Sequence, residues 1–163
     1  MNMHIKGTGS ALPETVVTND DLTKFMDTSD EWIRERTGIG QRHLSKGETV
    51  ASLAAQACEK ALANAGEKAE DVELIILATC SPEMMLPCCA CQVQDAIGAK
   101  NAVAFDLNAA CAGFLFALNT AYSYLKSGVY KNALIIGAEV LSKIMDWEDR
   151  TTCILFGDGA GAA

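Results

Sequence analysis

Two periods alternate along this chain, and the order in which they switch predicts its architecture. Over residues 49–65 the apolar positions Val50, Leu53, Ala54, Ala57, Cys58, Ala61, Leu62 and Ala65 recur at i, i+3, i+4 and i+7. That is the stripe of a helix lying on a core, and Gly66 stops it. "VELIILATC" (72–80) is instead one continuous apolar run, the pattern of a strand covered on both faces. The same reasoning predicts helices over 87–97 and 112–127 and strands over 102–107 and 133–139. Near the amino end, residues 3–9 read as a strand followed by a turn at "SALPE". Asn19 is expected to cap a short helix through about Met26. Thr28-x-x-Glu31 should make a capping box for a second helix that ends near Gly38, within "TGIG". The final "TTCILFGDGAGAA" predicts a strand, a tight glycine-rich strand-to-strand turn, and the first residues of another strand.

Strands separated by helical patterns imply β-α-β units. The expected fold is therefore α/β, with a mostly parallel mixed sheet and helices on both faces. The chain has 163 residues, half of them apolar, enough for one domain with a substantial core. It ends on small apolar residues with no polar tail, so the expectation is a piece of a longer protein. The net charge of −8 and the lack of a basic stripe argue against a general nucleic-acid binder. They leave room for an anionic ligand held by a few arginines. No apolar run approaches the roughly eighteen residues of a membrane span, and the amino terminus lacks a signal pattern. The expected location is the cytoplasm.

Seven cysteines occur, at 58, 80, 88, 89, 91, 111 and 153. An odd number in a chain without a signal pattern argues against a disulfide framework. Cys88 and Cys91 form a C-x-x-C within "LPCCACQVQ", but no second pair follows and no histidine is near in sequence. Small buried cysteines packing like alanine are the simpler reading. Cys111 differs. It lies in "DLNAACAGFLF", where a buried strand turns into a helix expected to pack through Leu115, Leu118, Tyr122 and Leu125. A thiol at the amino end of a helix meets unpaired N–H groups and the positive end of the macrodipole, which favour the thiolate. The same N–H groups can stabilise an oxyanion on a thioester carbonyl attacked by the sulfur. From spacing alone, a buried small residue at a helix start remains the competing account.

A second candidate lies upstream. Trp32 and Arg36 are i and i+4 and share one face of a short helix. An indole offers a stacking surface for a base, and a guanidinium suits phosphate. Such a pair also occurs as a plain surface contact.

"GTGSALPE", "TSDEWIRERTGI", "DLNAACAGF", "DWEDRTT" and "FGDGAGAA" occur in order along essentially the whole chain. Together they resemble the β-ketoacyl-acyl-carrier-protein synthase III family of the thiolase-like superfamily. The resemblance implies an amino-terminal half of a thiolase-like fold over residues 1–163, with the carboxy-terminal half absent. It implies that Cys111 accepts the acyl group of acyl-CoA and that the acyl-enzyme then condenses with decarboxylating malonyl-acyl-carrier protein, initiating fatty-acid synthesis. It places Trp32 and Arg150 around the adenine of CoA, Thr28 against the base and Arg36 at the phosphates. No metal and no tightly bound cofactor are implied.

The resemblance further implies a homodimer in which the loop "SPEMMLP" (81–87) reaches the partner and Leu86 lines its acyl pocket. Leucine stands where an aromatic is common, so the pocket is expected to be roomier than an acetyl-only one. The family's catalytic histidine and asparagine match nothing here, and His4 and His43, the only histidines, are assigned structural roles. Three readings follow: a piece of a condensing enzyme, an assembly half that needs a second chain, and a cysteine-rich redox or metal protein using Cys88, Cys89 and Cys91. An isolated half is expected to self-associate through the face meant for its partner.

Overall fold

The computed structural model describes residues 3–163. Five strands form one sheet: β1 (Gly9–Ala11), β4 (Leu74–Ala78), β5 (Val103–Leu107), β6 (Leu134–Val140) and β7 (Asp158–Ala162), in the order β1-β7-β6-β4-β5. Pairs β4–β5 and β4–β6 are parallel, while β7 is antiparallel to both of its neighbours. Four strands thus run one way and β7 the other, a mostly parallel mixed sheet. A two-stranded ribbon, β2 (Val16–Thr18) with β3 (Gln41–His43), stands apart from it.

The apolar run predicted as a doubly covered strand explains the layering. Every residue of β4 is buried, and its side chains alternate between two cores. Ile75 and Leu77 face α3 (Val50–Ala65) and α4 (Cys89–Ile97), together with Leu134, Ile136 and Ala138 of β6. Leu74, Ile76 and Ala78 face α5 (Gly113–Ser127) through Ala117 and Ala121. Truncating such a side chain to alanine costs about 2–5 kcal/mol. Helix α3 matches its periodicity: Thr49 caps its amino end through Ser52 N–H, and Gly66 closes it with φ 69°.

Several local expectations are corrected. Residues 3–8 are not in a strand; pairing begins at Gly9, where a Cβ would stand 2.2 Å from the Ala57 carbonyl oxygen of α3. Thr18, not Asn19, caps α1 (Asn19–Leu22), which ends four residues before Met26. Asn19 is buried instead, donating to Asp30 Oδ1 and the Ile39 carbonyl. Ser29, not Thr28, caps α2 (Asp30–Thr37) by accepting from Trp32 N–H at 3.1 Å. Helix α4 starts at Cys89 rather than at 87. Helix α5 buries its small residues Gly113, Ala117 and Ala121, while Leu115 is exposed.

The largest correction concerns "GDGAGAA". It is strand β7 itself, hydrogen-bonded on both sides, and the preceding 151–155 is a turn. Glycine and alanine are poor strand formers, but the alanine-rich face of α3 packs directly across this strand. Close helix approach overrides propensity.

Candidate active site

Cys111 stands in a single turn of 3-10 helix, Ala110–Ala112, which runs straight into α5. The turn follows the carboxyl end of β5, beside the carboxyl ends of the parallel strands β4 and β6, where open α/β sheets form their ligand sites. Ala110 takes φ +45°, a left-handed conformation that costs a non-glycine residue about 1–3 kcal/mol and is typical of functional turns. Gly113 lets the turn lie against β4: a Cβ there would come within 2.9 Å of Ala78 Cβ. Ala110 N–H donates to Asn108 Oδ1 at 3.4 Å, Ala112 N–H to the Ala109 carbonyl and Gly113 N–H to the Ala110 carbonyl, and Cys111 itself is exposed. An exposed thiol at a helix start with no carboxylate on its amides is suited to act as an acyl acceptor.

Among the seven thiols the environments separate. Cys58 is fully buried on α3 and burial pushes its pKa up to about 12. Cys89 is buried too and is raised to about 11, by desolvation first and then by Asp106 and Glu83. Cys153 is buried and raised by desolvation, with Asp149 adding to it. Cys80 is exposed at the end of β4, and desolvation with a hydrogen bond to Glu139 raises it. These thiols are held as poor nucleophiles.

The loop after β4 is tied down by carboxylates that sequence patterns do not reveal. Glu139 of β6 accepts from Cys80 N–H (2.8 Å), Thr79 Oγ1 (3.1 Å) and Ser81 Oγ. Glu83 accepts from Val50 N–H at 2.6 Å and lies 3.6 Å from Lys143 Nζ, pinning the loop to the start of α3. Asp106 of β5 accepts from Cys89 N–H (2.9 Å) and Ala90 N–H (2.7 Å), so it caps α4 across the fold. Between these anchors Met84, Met85 and Leu86 are exposed, Leu86 by 84%.

Trp32, Arg36 and Arg150 lie together. The Arg36 guanidinium lies 4.2 Å from the Trp32 ring centroid and that of Arg150 lies 5.1 Å from it. Arg150 Nη1 also donates to the Asp27 carbonyl, and Asp149 holds the turn beside it by accepting from Thr151 N–H and from the Thr151 and Thr152 hydroxyls. Helix α2, which carries Trp32, is fixed from below: Arg42 Nη2 donates to Asn19 Oδ1, and Asp30 accepts from Asn19 Nδ2 and from Arg34 Nε. Thr28 Oγ1 is buried without a hydrogen-bond partner. A base slipped between Trp32 and Arg150 needs about 7–8 Å, two van der Waals layers, so at 5.1 Å Arg150 must swing aside to admit it.

Neither histidine approaches this chemistry. His43 Nδ1 is 2.6 Å from the Pro13 carbonyl oxygen, and His4 is an exposed residue lining a separate apolar groove of about 280 Å³ with Leu118, Tyr122 and Leu125. Among the described residues no three histidine, cysteine or carboxylate side chains are grouped as a metal site. Among the described residues no helix is long and apolar enough to cross a membrane.

Comparisons with known proteins bear on the family to which this fold belongs. The family model for 3-oxoacyl-[acyl-carrier-protein] synthase III matches residues 105–163. The β-ketoacyl-[acyl-carrier-protein] synthase III of Clostridium acetobutylicum is 57% identical over 161 residues, covering 99% of this chain and 50% of that protein. The crystal structure of 3-oxoacyl-[acyl-carrier-protein] synthase III from Aquifex aeolicus superposes with a TM-score of 0.95 at 55% identity, over 97% of this chain and 51% of that one. A priming β-ketosynthase from the R1128 polyketide pathway gives 0.95 at 35% identity, over 98% and 48%. The chain spans about half the length of the relatives it matches. Over that half, with the strand–turn–helix of Cys111 inside the matched region, it is a member of the β-ketoacyl-[acyl-carrier-protein] synthase III family.

Proposed function

We propose that this chain supplies the nucleophile-bearing, amino-terminal half of a condensing enzyme that starts fatty-acid synthesis. Cys111 Sγ attacks the thioester carbonyl of acyl-CoA, the amides of its turn stabilise the oxyanion, and the CoA thiol departs with the proton. The acyl group, now a thioester on Cys111, is next attacked by the carbanion released when malonyl-acyl-carrier protein loses carbon dioxide. Cys111 thiolate leaves, and the product is a 3-oxoacyl-acyl-carrier protein. Trp32, Arg150 and Thr28 would hold the adenine end of CoA and Arg36 its phosphates, with no resident metal or cofactor. The decarboxylation needs a histidine and an asparagine that we assign to a second half of the enzyme. The reading includes a cytoplasmic homodimer in which the exposed Leu86 enters the partner's acyl pocket.

The observation that carries this reading is the exposed Cys111 at a helix start at the carboxyl end of β5. Incubation with acetyl-, isobutyryl- and longer acyl-CoAs, followed by intact-mass measurement and peptide mapping, tests it. One acyl adduct per chain on Cys111 is expected. Adducts spread over several cysteines, or none with any acyl-CoA, would overturn it. A strict preference for acetyl would sink the roomier pocket at Leu86 alone.

A further inference from the structure

Cys88 and Cys91 take no part in that chemistry, yet their sulfur atoms lie 3.4 Å apart, both half-buried, in the first turn of α4. Cys88 is the N-cap, in extended conformation, and Cys91 the third helical residue. That offset brings the two side chains to the same edge of the turn. Cys89, between them in sequence, points the other way into the core beside Glu83. The motif therefore presents two sulfurs and not three. With no third ligand grouped there among the described residues, a metal cage is not built.

We propose that Cys88 and Cys91 form a reversible dithiol–disulfide couple that exchanges with low-molecular-weight disulfides. The Cys88 thiolate attacks one sulfur of a disulfide RSSR, forming Cys88–S–SR and expelling RS⁻. Cys91 then gives up its proton and attacks Cys88 Sγ, forming the Cys88–Cys91 bond and expelling the second RS⁻. The two protons released by the cysteines leave two RSH. Two protein thiols are oxidised and one disulfide is reduced. Closure requires the sulfurs to move from 3.4 Å to about 2.05 Å.

Two features of the site set its character. The helix start would normally favour a thiolate and so favour the reduced state. Here Asp106 occupies the first two amides with its carboxylate. The Cys91 thiol is held up from its ordinary value by its hydrogen bond to Cys88, by burial and by Asp106. With Cys91 held as the thiol, its attack on the Cys88 mixed disulfide is slow. The couple also sits at the root of the loop carrying Leu86, so oxidation closes the turn immediately after that loop.

The test is equilibration in glutathione buffers of decreasing reduced-to-oxidised ratio, using Cys111→Ala protein to remove the exposed competing thiol. The expected product is a chain lighter by two hydrogens, restored by dithiothreitol, with fragmentation of the single tryptic peptide 69–100 locating the bond between Cys88 and Cys91. It should accumulate at ratios where Cys80 still carries no glutathione. Cys88→Ser and Cys91→Ser should each abolish the two-hydrogen loss and take up at most one glutathione at the remaining sulfur; Cys88→Ala substitutes where serine disturbs folding. Mixed disulfides alone at every ratio, or a crosslink mapping to Cys89 or Cys80, would overturn the proposal. Neither outcome bears on acyl transfer to Cys111.

Discussion

Two helices of this molecule are entered through cysteines after strands of the same sheet, α4 through Cys88 and Cys89 and α5 through Cys111 in the turn before it, and their amino ends differ in charge. At α4 the first two amides, of Cys89 and Ala90, are filled by the carboxylate of Asp106. At the turn leading into α5 the first amide, of Ala110, meets only the neutral Asn108 Oδ1, at 3.4 Å. The two ends are linked, because Asp106 belongs to the strand that delivers Cys111. One residue of β5 puts a carboxylate on one helix start, and Asn108, just after β5, puts a neutral oxygen on the next. A cysteine at a helix start is thus not a nucleophile by virtue of sequence; what the tertiary fold places on the neighbouring amides decides.

Exchanging the roles of these cysteines would break the comparison. Cys111→Ala should reduce acyl transfer by several orders of magnitude, on the order of 10⁴ or more. Cys88→Ala should change it by less than about threefold; stopped-flow or quenched transfer from labelled acyl-CoA measures both. A large loss in Cys88→Ala would mean that the α4 end takes part in the chemistry. The next effect concerns the approach of α5 to β4. Gly113→Ala places a methyl 2.9 Å from Ala78 Cβ, and overpacking of that kind costs about 1–3 kcal/mol. Chemical denaturation should show the loss, and Ala78→Gly in the same chain should restore part of it together with acyl transfer.

Asp106→Asn sharpens the contrast from the other side. It keeps an acceptor but removes the charge from the α4 end, with an expected cost of about 1 kcal/mol. The Cys91 thiol should then titrate at lower pH, since the carboxylate is one of the causes holding it up. Thiolate absorbance in a chain lacking the other exposed thiols would follow this. An unchanged titration would show that burial and Cys88 alone account for the raised thiol.

The layered fold was legible because it rests on burial. "VELIILATC" had to be a strand with two covered faces, and the stripe of α3 had to lie on it. Spacing alone left Cys111 with a buried small residue as its rival, and it is the exposure of the thiol that only the fold reports; the closeness of Trp32 and Arg36 could be read from a spacing of four. What pattern could not show is what distant residues do for one another. Asp106, Glu139 and Glu83 look like ordinary carboxylates in sequence, yet each satisfies amides or hydroxyls of an element remote in the chain. The strand made of "DGAGA" failed for the same reason: its stability comes from α3 lying close across it, which no local propensity reports. The C-x-x-C was visible as spacing, but the 3.4 Å separation of its sulfurs depends on where the helix begins, two residues later than the pattern suggested.

The smallest expected effect lies at the other functional cluster, where a carboxylate rather than a thiol does the fastening. Asp149 accepts from the Thr151 and Thr152 hydroxyls and from Thr151 N–H, which holds its carboxyl below the usual range. Asp30 is lowered likewise, by Arg34 first and by Asn19. A carboxyl that is more acidic when folded stabilises the fold above its unfolded value near pH 4. That contribution is lost as the pH falls through the lowered folded value. Both carboxylates are solvent-facing, so screening keeps the effect slight. Between pH 7 and pH 3 the melting temperature should therefore fall less for Asp149→Asn than for the unaltered chain. The same substitution should loosen the turn that presents Arg150 to Trp32, raising the dissociation constant for CoA at pH 7 by a factor of about 2–5, the worth of part of one exposed cation–π contact. If Asp149→Asn flattens the acid limb without touching CoA affinity, the turn serves stability only; if CoA binding weakens as well, the carboxylate positions Arg150.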